Sequence, residues 1–349
     1  MASPAAQRAI AGLILSLPAP VLRLMAGGGV VHVGGRTLDP RLQFLAAQAR
    51  KQPAMTQATP EQARMGMTGL IGAVAGKPEP GVACEDLYVQ GAAGDIPARA
   101  YRPANQDADA PLMVWAHMGG GVIGDIETTH VFCTVLARIT RGPVLSVDYR
   151  LAPEHRYPAG VDDTLAAYRW AREHSTRFGA PAGKVAMGGD SMGGNFTAIV
   201  CQELKRAGEP QPVLQLLVYP CTDVASQTPS MTTYGDAFPL NSATMDWFMG
   251  HYLNPGDDPA HPKLSPLKEK DLSGLAPAVI ATAGFDPLID QGEAYAKALR
   301  EAGVPVTYRC YDSLAHAFVA FTGAVPAAAD ASREIAGLVR QAYEGRLAG

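Results

Sequence analysis

Gly189-Asp190-Ser191-Met192-Gly193 is a small-residue turn with a serine at its centre. Lys184-Val185-Ala186-Met187 before it reads as a strand, and a helical run begins near Gly194. A tight strand-to-helix turn forces the central residue into a strained backbone conformation and lifts its hydroxyl clear of the sheet edge. Side chains at the two flanking glycine positions would collide with the neighbouring strand and helix. Ser191 is therefore the candidate nucleophile, and the helix N-terminus behind it favours developing negative charge.

A serine hydroxyl needs a base, and the base needs an orienting acid. With this type of elbow the partners follow in the order Ser, Asp or Glu, His. Of the eight histidines, only His316 lies beyond the last predicted strand, in Leu314-Ala315-His316-Ala317-Phe318. The acid belongs just after the penultimate strand, where Gly284-Phe285-Asp286-Pro287-Leu288 follows Ala278–Thr282. Asp286 is the preferred candidate, holding the imidazole in the correct tautomer. Asp290 is the alternative, its ordinary role being a helix N-cap. Activity should fall on acidification as the base becomes protonated.

The third element of acyl transfer is a set of donors for the oxyanion. His117-Met118-Gly119-Gly120-Gly121-Val122-Ile123-Gly124-Asp125 follows the strand Leu112–Trp115. Glycines let backbone N–H groups approach a substrate oxygen, and such donors stabilise the tetrahedral state. Met192, after the nucleophile, contributes through its backbone. No Gly-Lys-Ser/Thr follows the glycines, which argues against a phosphate loop.

The elements that must position these residues are legible in outline. Eight strands are predicted: Leu87–Val89, Ala98–Tyr101, Leu112–Trp115, Val144–Asp148, Val185–Met187, Leu214–Tyr219, Ala278–Thr282 and Val306–Tyr311. Helical stretches at Asp162–Phe178, Gly194–Arg206, Gly292–Ala302 and Ala327–Tyr343 alternate with them. This alternation implies a mostly parallel sheet with helices on both faces. The first two strands lack an intervening helix and should form an antiparallel edge hairpin. Residues 1–80 read as helical segments broken at Gly27-Gly28-Gly29 and Gly34-Gly35. Residues 222–275 contain no clear strand, but Met245, Phe248, Met249 and Tyr252 follow helical spacing. Long excursions between sheet strands form lids or binding elements. The expected organisation is a cap region at 1–80, a catalytic core at 81–221, a second cap segment at 222–275 and the rest of the core at 276–349.

Composition narrows the function classes. The chain has 349 residues, 47% hydrophobic, and a formal net charge of −4. There is no basic excess to hold nucleic acid or an anionic membrane surface. Five cysteines at wide spacings, with no CxxC, argue against a disulfide framework or zinc site and for buried free thiols in a cytoplasmic setting. The apolar stretch Ala9–Leu24 is interrupted by Pro18 and Pro20 and carries Arg23 near its end. It is too short and broken for an integral membrane span, and the preferred reading is an amphipathic helix followed by a second short one, with export or association with a membrane surface left open as alternatives.

These motifs together resemble the hormone-sensitive-lipase-like family of bacterial carboxylesterases, which has the α/β-hydrolase fold. The matching stretches, spread over roughly residues 40–345, are His117-Met118-Gly119-Gly120, Asp148-Tyr149-Arg150-Leu151-Ala152-Pro153-Glu154-His155, Gly189-Asp190-Ser191-Met192-Gly193-Gly194-Asn195, Asp286-Pro287-Leu288 and His316-Ala317-Phe318. The resemblance implies a triad of Ser191, Asp286 and His316. It implies an oxyanion hole from the backbones of Gly119, Gly120 and Met192, and a cap from the N-terminal helices and residues 222–255. It also implies short- to medium-chain ester substrates, and dimers are common in that family. The chemistry requires no metal or organic cofactor. Two positions depart from the pattern: Met118 stands where the family has a glycine, and Gly121 where it has an aromatic residue. Met118 would be strained if that position needs positive φ, and is expected to fill space left by the missing aromatic. Arg150 and Glu154 are read as loop anchors with Asp162 or Asp163, His117 as orienting the glycine loop, and Asp190 as support beside the nucleophile. Met118, Gly121, Asp190, Phe238, Met245 and Phe248 are the candidate pocket residues, and Phe44, Met65, Met67 and Met249 are further apolar cap candidates. An amidase, thioesterase or acyltransferase with the same triad stays open. So does a non-catalytic receptor on the same scaffold.

Overall fold

A computed structural model describes residues 12–346. Residues 1–11, which include the start of the predicted N-terminal helix, lie outside the described residues. Residues 12–15 are helical and Ala19–Met25 forms the second short helix. Gly34-Gly35 is not a helix break: it turns a small hairpin between β1 (His32–Val33) and β2 (Arg36–Thr37). Both glycines have positive φ, 60° and 78°, which suits a two-residue hairpin turn. The helices Pro40–Ala49 and Pro60–Val74 follow, each with proline in its first turn.

The main sheet holds the eight expected strands, most of them longer than predicted. These are β3 (Val82–Gly91), β4 (Gly94–Pro103), β5 (Leu112–Ala116), β6 (Val144–Val147), β7 (Val185–Asp190), β8 (Gln215–Val218), β9 (Ala278–Phe285) and β10 (Val306–Ala315). Their order is β10-β9-β8-β7-β5-β6-β4-β3. β3 and β4 form an antiparallel edge hairpin, β4 also runs antiparallel to β6, and all other pairings are parallel. Every residue of β5 to β9 is buried, as a sheet covered on both faces requires.

Helices Ala159–His174, Met192–Arg206, Ile289–Glu301 and Pro326–Tyr343 lie close to the predicted stretches. A further helix, His130–Thr140, adds to them. Its Val131, Thr134, Val135, Ile139 and Thr140 are β-branched and mask helical propensity, while its buried Phe132, Cys133 and Leu136 show that packing decides the conformation. The excursion after β8 carries two helices, Pro229–Thr233 and Ser242–Tyr252. From about residue 261 the chain returns to the core. Asn195 Nδ2 donates to Leu264 O at 2.9 Å, and Gln202 Nε2 to Pro266 O at 2.9 Å, so this return begins well before residue 275.

Among the described residues, no helix is long and apolar enough to cross a membrane. The cysteines are free thiols, but only Cys133, Cys201 and Cys221 are buried; Cys84 is exposed and Cys310 half-buried.

Candidate active site

The turn after β7 has the strained form its sequence demands. Ser191 has φ 55° and ψ −115°, a conformation that non-glycine residues rarely adopt. Its flanking glycines are there because of close approach. A Cβ on Gly189 would lie 2.3 Å from the Gly193 carbonyl, and one on Gly193 would lie 2.0 Å from Ala116 O. The strained residue is held from both sides, with Ser191 N donating to Val218 O at 2.9 Å and Cys221 N to Ser191 O at 3.2 Å.

Three segments far apart in the chain meet at this serine. His316 Nε2 lies 2.9 Å from Ser191 Oγ, and His316 Nδ1 lies 2.7 Å from Asp286 Oδ2. Asp286 is fully buried after β9, and its other oxygen accepts from Leu288 N at 2.8 Å. A neutral imidazole donating from Nδ1 to Asp286 leaves Nε2 free to take the serine proton. Asp290, the alternative acid, faces elsewhere: its Oδ2 accepts from Ser230 N at 2.8 Å and pins the helix Pro229–Thr233.

Gly119, Gly120 and Gly121 all have positive φ, at 124°, 63° and 72°. The N–H groups of Gly119, Gly120 and Met192 are not spent on acceptors among the described residues. Met118 is not in the left-handed region, so the expected strain there is absent. Its side chain is buried at the cleft wall. His117 braces the loop. Its Nδ1 lies 2.7 Å from Met118 O, its ring stacks on Tyr149 at 4.2 Å, and Tyr149 Oη donates to His117 O at 2.7 Å. Burial works to lower the His117 pKa, but Asp148, 3.7 Å from Nε2, and the Met118 carbonyl outweigh it and hold the pKa above its ordinary value.

A cleft of about 1310 Å³ opens over Ser191 and His316. Met118, Gly119, Gly120 and Met192 line its floor, and Met67, Phe238, Met245, Phe248 and Met249 line its cap side. Two of the pocket candidates are placed differently. Gly121 lies outside the lining because the Tyr252 ring covers it. Asp190 is fully buried beside Ser191, where its Oδ2 accepts from Tyr219 Oη at 3.0 Å. Burial pushes its carboxyl up to about 7, against the opposing effects of the Tyr219 hydrogen bond and of His117 and His316. Phe44 belongs to the core and Met65 points to solvent.

Several residues of the site gave no sequence signal. The segment 45–58, including Leu45, Pro53 and Met55, forms part of the cleft wall. Arg64 clamps the helix Pro60–Val74 to the core, donating to Val122 O at 2.9 Å, to Ala152 O at 2.8 Å and to both oxygens of Glu154. Glu154 thus pairs with Arg64, and its carboxyl is held low, at about 2. Arg150 pairs with Asp163 through two hydrogen bonds of 2.7 and 2.9 Å, while Asp162 pairs with Lys263.

An eight-stranded, mostly parallel sheet with a serine elbow, a following histidine and a buried aspartate defines a class. The chain belongs to the α/β-hydrolase fold family, whose model matches residues 113–320, and within it to the hormone-sensitive-lipase-like branch. It is 47% identical over 312 residues to the carboxylic ester hydrolase LipN of Mycobacterium tuberculosis, a match covering 87% of this chain and 82% of LipN. It is 37% identical over 251 residues to the ethyl acetate hydrolase of Pseudomonas putida, covering 70% and 79%. Among solved structures, an ester hydrolase from the metagenome of Lake Arreo aligns with a TM-score of 0.84 at 37% identity, covering 88% of this chain and 99% of that one.

Proposed function

We propose that this carboxylic ester hydrolase cleaves short- to medium-chain esters through an acyl-enzyme formed on Ser191. Ser191 Oγ attacks the ester carbonyl while His316 Nε2 takes its proton, and Asp286 stabilises the imidazolium. The oxyanion rests on the backbone N–H groups of Gly119, Gly120 and Met192. Collapse of the tetrahedral state breaks the bond to the alkoxy oxygen, which leaves with the proton from His316. Water, deprotonated by His316, then attacks the acyl carbon and releases the acid and Ser191. The alcohol and acyl groups of a small ester fit the apolar cleft beneath residues 45–70 and 222–255, which act as a two-part cap.

The observation that carries this reading is the hydrogen-bonded row Ser191–His316–Asp286, with separations of 2.9 and 2.7 Å, at the floor of a cleft. The relatives named above, an ester hydrolase and an ethyl acetate hydrolase, support the substrate class. The test is turnover of p-nitrophenyl esters and labelling by a fluorophosphonate. Ser191→Ala should abolish both with the fold intact by circular dichroism. Near-normal activity in that variant would overturn the assignment, and faster cleavage of matched amides or thioesters would move the substrate class.

A further inference from the structure

The cap helix Ser242–Tyr252 does more than roof the cleft. Phe248 and Tyr252 are four residues apart and share one face of it. That face is pressed onto the glycine loop. A Cβ on Gly120 would lie 2.4 Å from Phe248 Cγ and 2.5 Å from its Cδ1; a Cβ on Gly121 would lie 2.7 Å from both Cδ2 and Cε2 of Tyr252. The rings therefore occupy the space that side chains at 120 and 121 would need, in contact with the backbone itself. Both rings are buried, and Tyr252 is further enclosed by Phe196 and Tyr157, at ring separations of 6.4 and 6.0 Å.

The same end of the helix is tied to the core. Tyr157 N donates to Tyr252 O at 3.0 Å, Asn254 Nδ2 to Tyr157 O at 2.7 Å, and Arg156 Nη1 to Gly250 O at 3.2 Å. The loop beneath is fixed on its other side, where Ala152 N donates to Gly121 O at 2.8 Å and both Val122 N and Ile123 N donate to Gly119 O. Glycine residues resist backbone rotation weakly, so a run of three with positive φ needs packing to hold its N–H directions. Phe248 and Tyr252 supply that packing from above, and Ala152 and the turn supply hydrogen bonds from the side.

We propose that Phe248 and Tyr252 are positioning residues for the oxyanion loop, so that the seating of the cap helix sets the rate of the chemical step as well as the shape of the cleft. This rests on the reading of Gly119 and Gly120 as oxyanion donors. Phe248 also lines the cleft and so touches the space substrate occupies, whereas Tyr252 does not line it. Tyr252 is thus the cleaner probe. Its contact with Gly121 is made by ring carbons, so the hydroxyl is dispensable to the role.

The experiment measures kcat and KM for p-nitrophenyl acetate, butyrate and octanoate, with the rate of fluorophosphonate labelling, for wild type, Tyr252→Ala, Tyr252→Leu and Tyr252→Phe. A small displacement of reacting or stabilising groups lowers the chemical rate on the order of 10- to 100-fold. Tyr252→Ala and, more mildly, Tyr252→Leu should lower kcat by such a factor. The factor should be the same for all three esters, with KM within about twofold and labelling slowed in parallel; Tyr252→Phe should restore the rate. A loss that varies with acyl length and falls on KM would make the helix a pocket wall only and overturn the proposal. So would kcat within about twofold of wild type in a folded Tyr252→Leu. A double-mutant cycle covers poor folding of the alanine variant: Gly121→Ala should cost more in kcat beside the native Tyr252 than in the Tyr252→Leu background, where the smaller side chain leaves room, and additivity would count against the contact. Failure of the proposed serine mechanism, on which the oxyanion reading itself depends, looks different, because Ser191→Ala would then stay active whatever residue 252 does.

Discussion

Tyr219 Oη donates a 3.0 Å hydrogen bond to Asp190 Oδ2, next to Ser191, while Asp190 Oδ1 has no partner among the described residues. Tyr219 has φ 36°, and its ring packs 4.8 Å from that of His316. A buried carboxyl with one unsatisfied oxygen is more stable protonated, which is why its pKa is pushed up to about 7. The unfolded chain releases that proton near pH 4. Between about pH 4 and 7 the folded state therefore binds more protons, and this group's contribution to stability falls as pH rises through that window. Asp190→Asn keeps the shape and removes the titration. The stability difference, wild type minus Asp190→Asn, should fall from pH 4 to 7 and level off above, as read from urea midpoints; a pH-independent difference would refute it. His117 has a raised pKa to which the Asp190 charge contributes, so its change in Asp190→Asn adds to the difference in the same direction.

Asp286 and Asp290 are separated by one turn of chain but do different work. Asp286→Asn should lower kcat on the order of 10³- to 10⁴-fold, because the imidazole is then held in the wrong tautomer. Asp290→Asn loses part of one bond to Ser230 N and should leave kcat within a few-fold. Equal losses in steady-state turnover would reopen the choice of acid.

Arg64 ties the helix Pro60–Val74 to two carbonyls of the core and to Glu154. Arg64→Ala should destabilise the protein by about 1–3 kcal/mol, since it removes charge-assisted bonds to buried carbonyls. Glu154→Gln should cost under about 1 kcal/mol, because the Glu154 side chain is 54% exposed and the pair is screened. Thermal unfolding ranks the two, and limited proteolysis within residues 50–75 should quicken only for Arg64→Ala.

Met118→Gly removes a buried side chain from the cleft wall at a position with no need of positive φ. The loop gains freedom and the cleft gains room. The melting temperature should fall and the preference should shift toward bulkier esters. An unchanged selectivity profile across an ester panel would show that Met118 does not shape the cleft.

Two glycines predict opposite outcomes. Gly193→Ala puts a methyl carbon 2.0 Å from Ala116 O, a backbone atom that cannot yield, and should cost more than about 3 kcal/mol or prevent folding. Gly337 lies inside the helix Pro326–Tyr343, and a methyl group there would meet nothing within 4 Å, so Gly337→Ala should stabilise by up to about 1 kcal/mol. Denaturant unfolding of both variants checks the pair.

The parts of this protein that one stretch of chain determines are readable in its residues. The alternation of strands and helices follows from hydrophobic periodicity. The glycines around Ser191 follow from backbone sterics, whereas the choice of Asp286 and His316 as its partners rests on the chain order of the family the motifs resemble. Where local signals conflict with packing the residues mislead: the helix His130–Thr140 is rich in β-branched residues with weak helical propensity, and Gly34-Gly35 looks like a break although it turns a hairpin. The folded chain alone decides that Arg64 reaches Glu154, that Tyr219 meets Asp190, and that Phe248 and Tyr252 lie on Gly120 and Gly121. Each of those contacts joins segments 29 or more residues apart. No pattern within a short window encodes them, because they arise only when independently formed elements are packed against one another and their leftover surfaces have to fit.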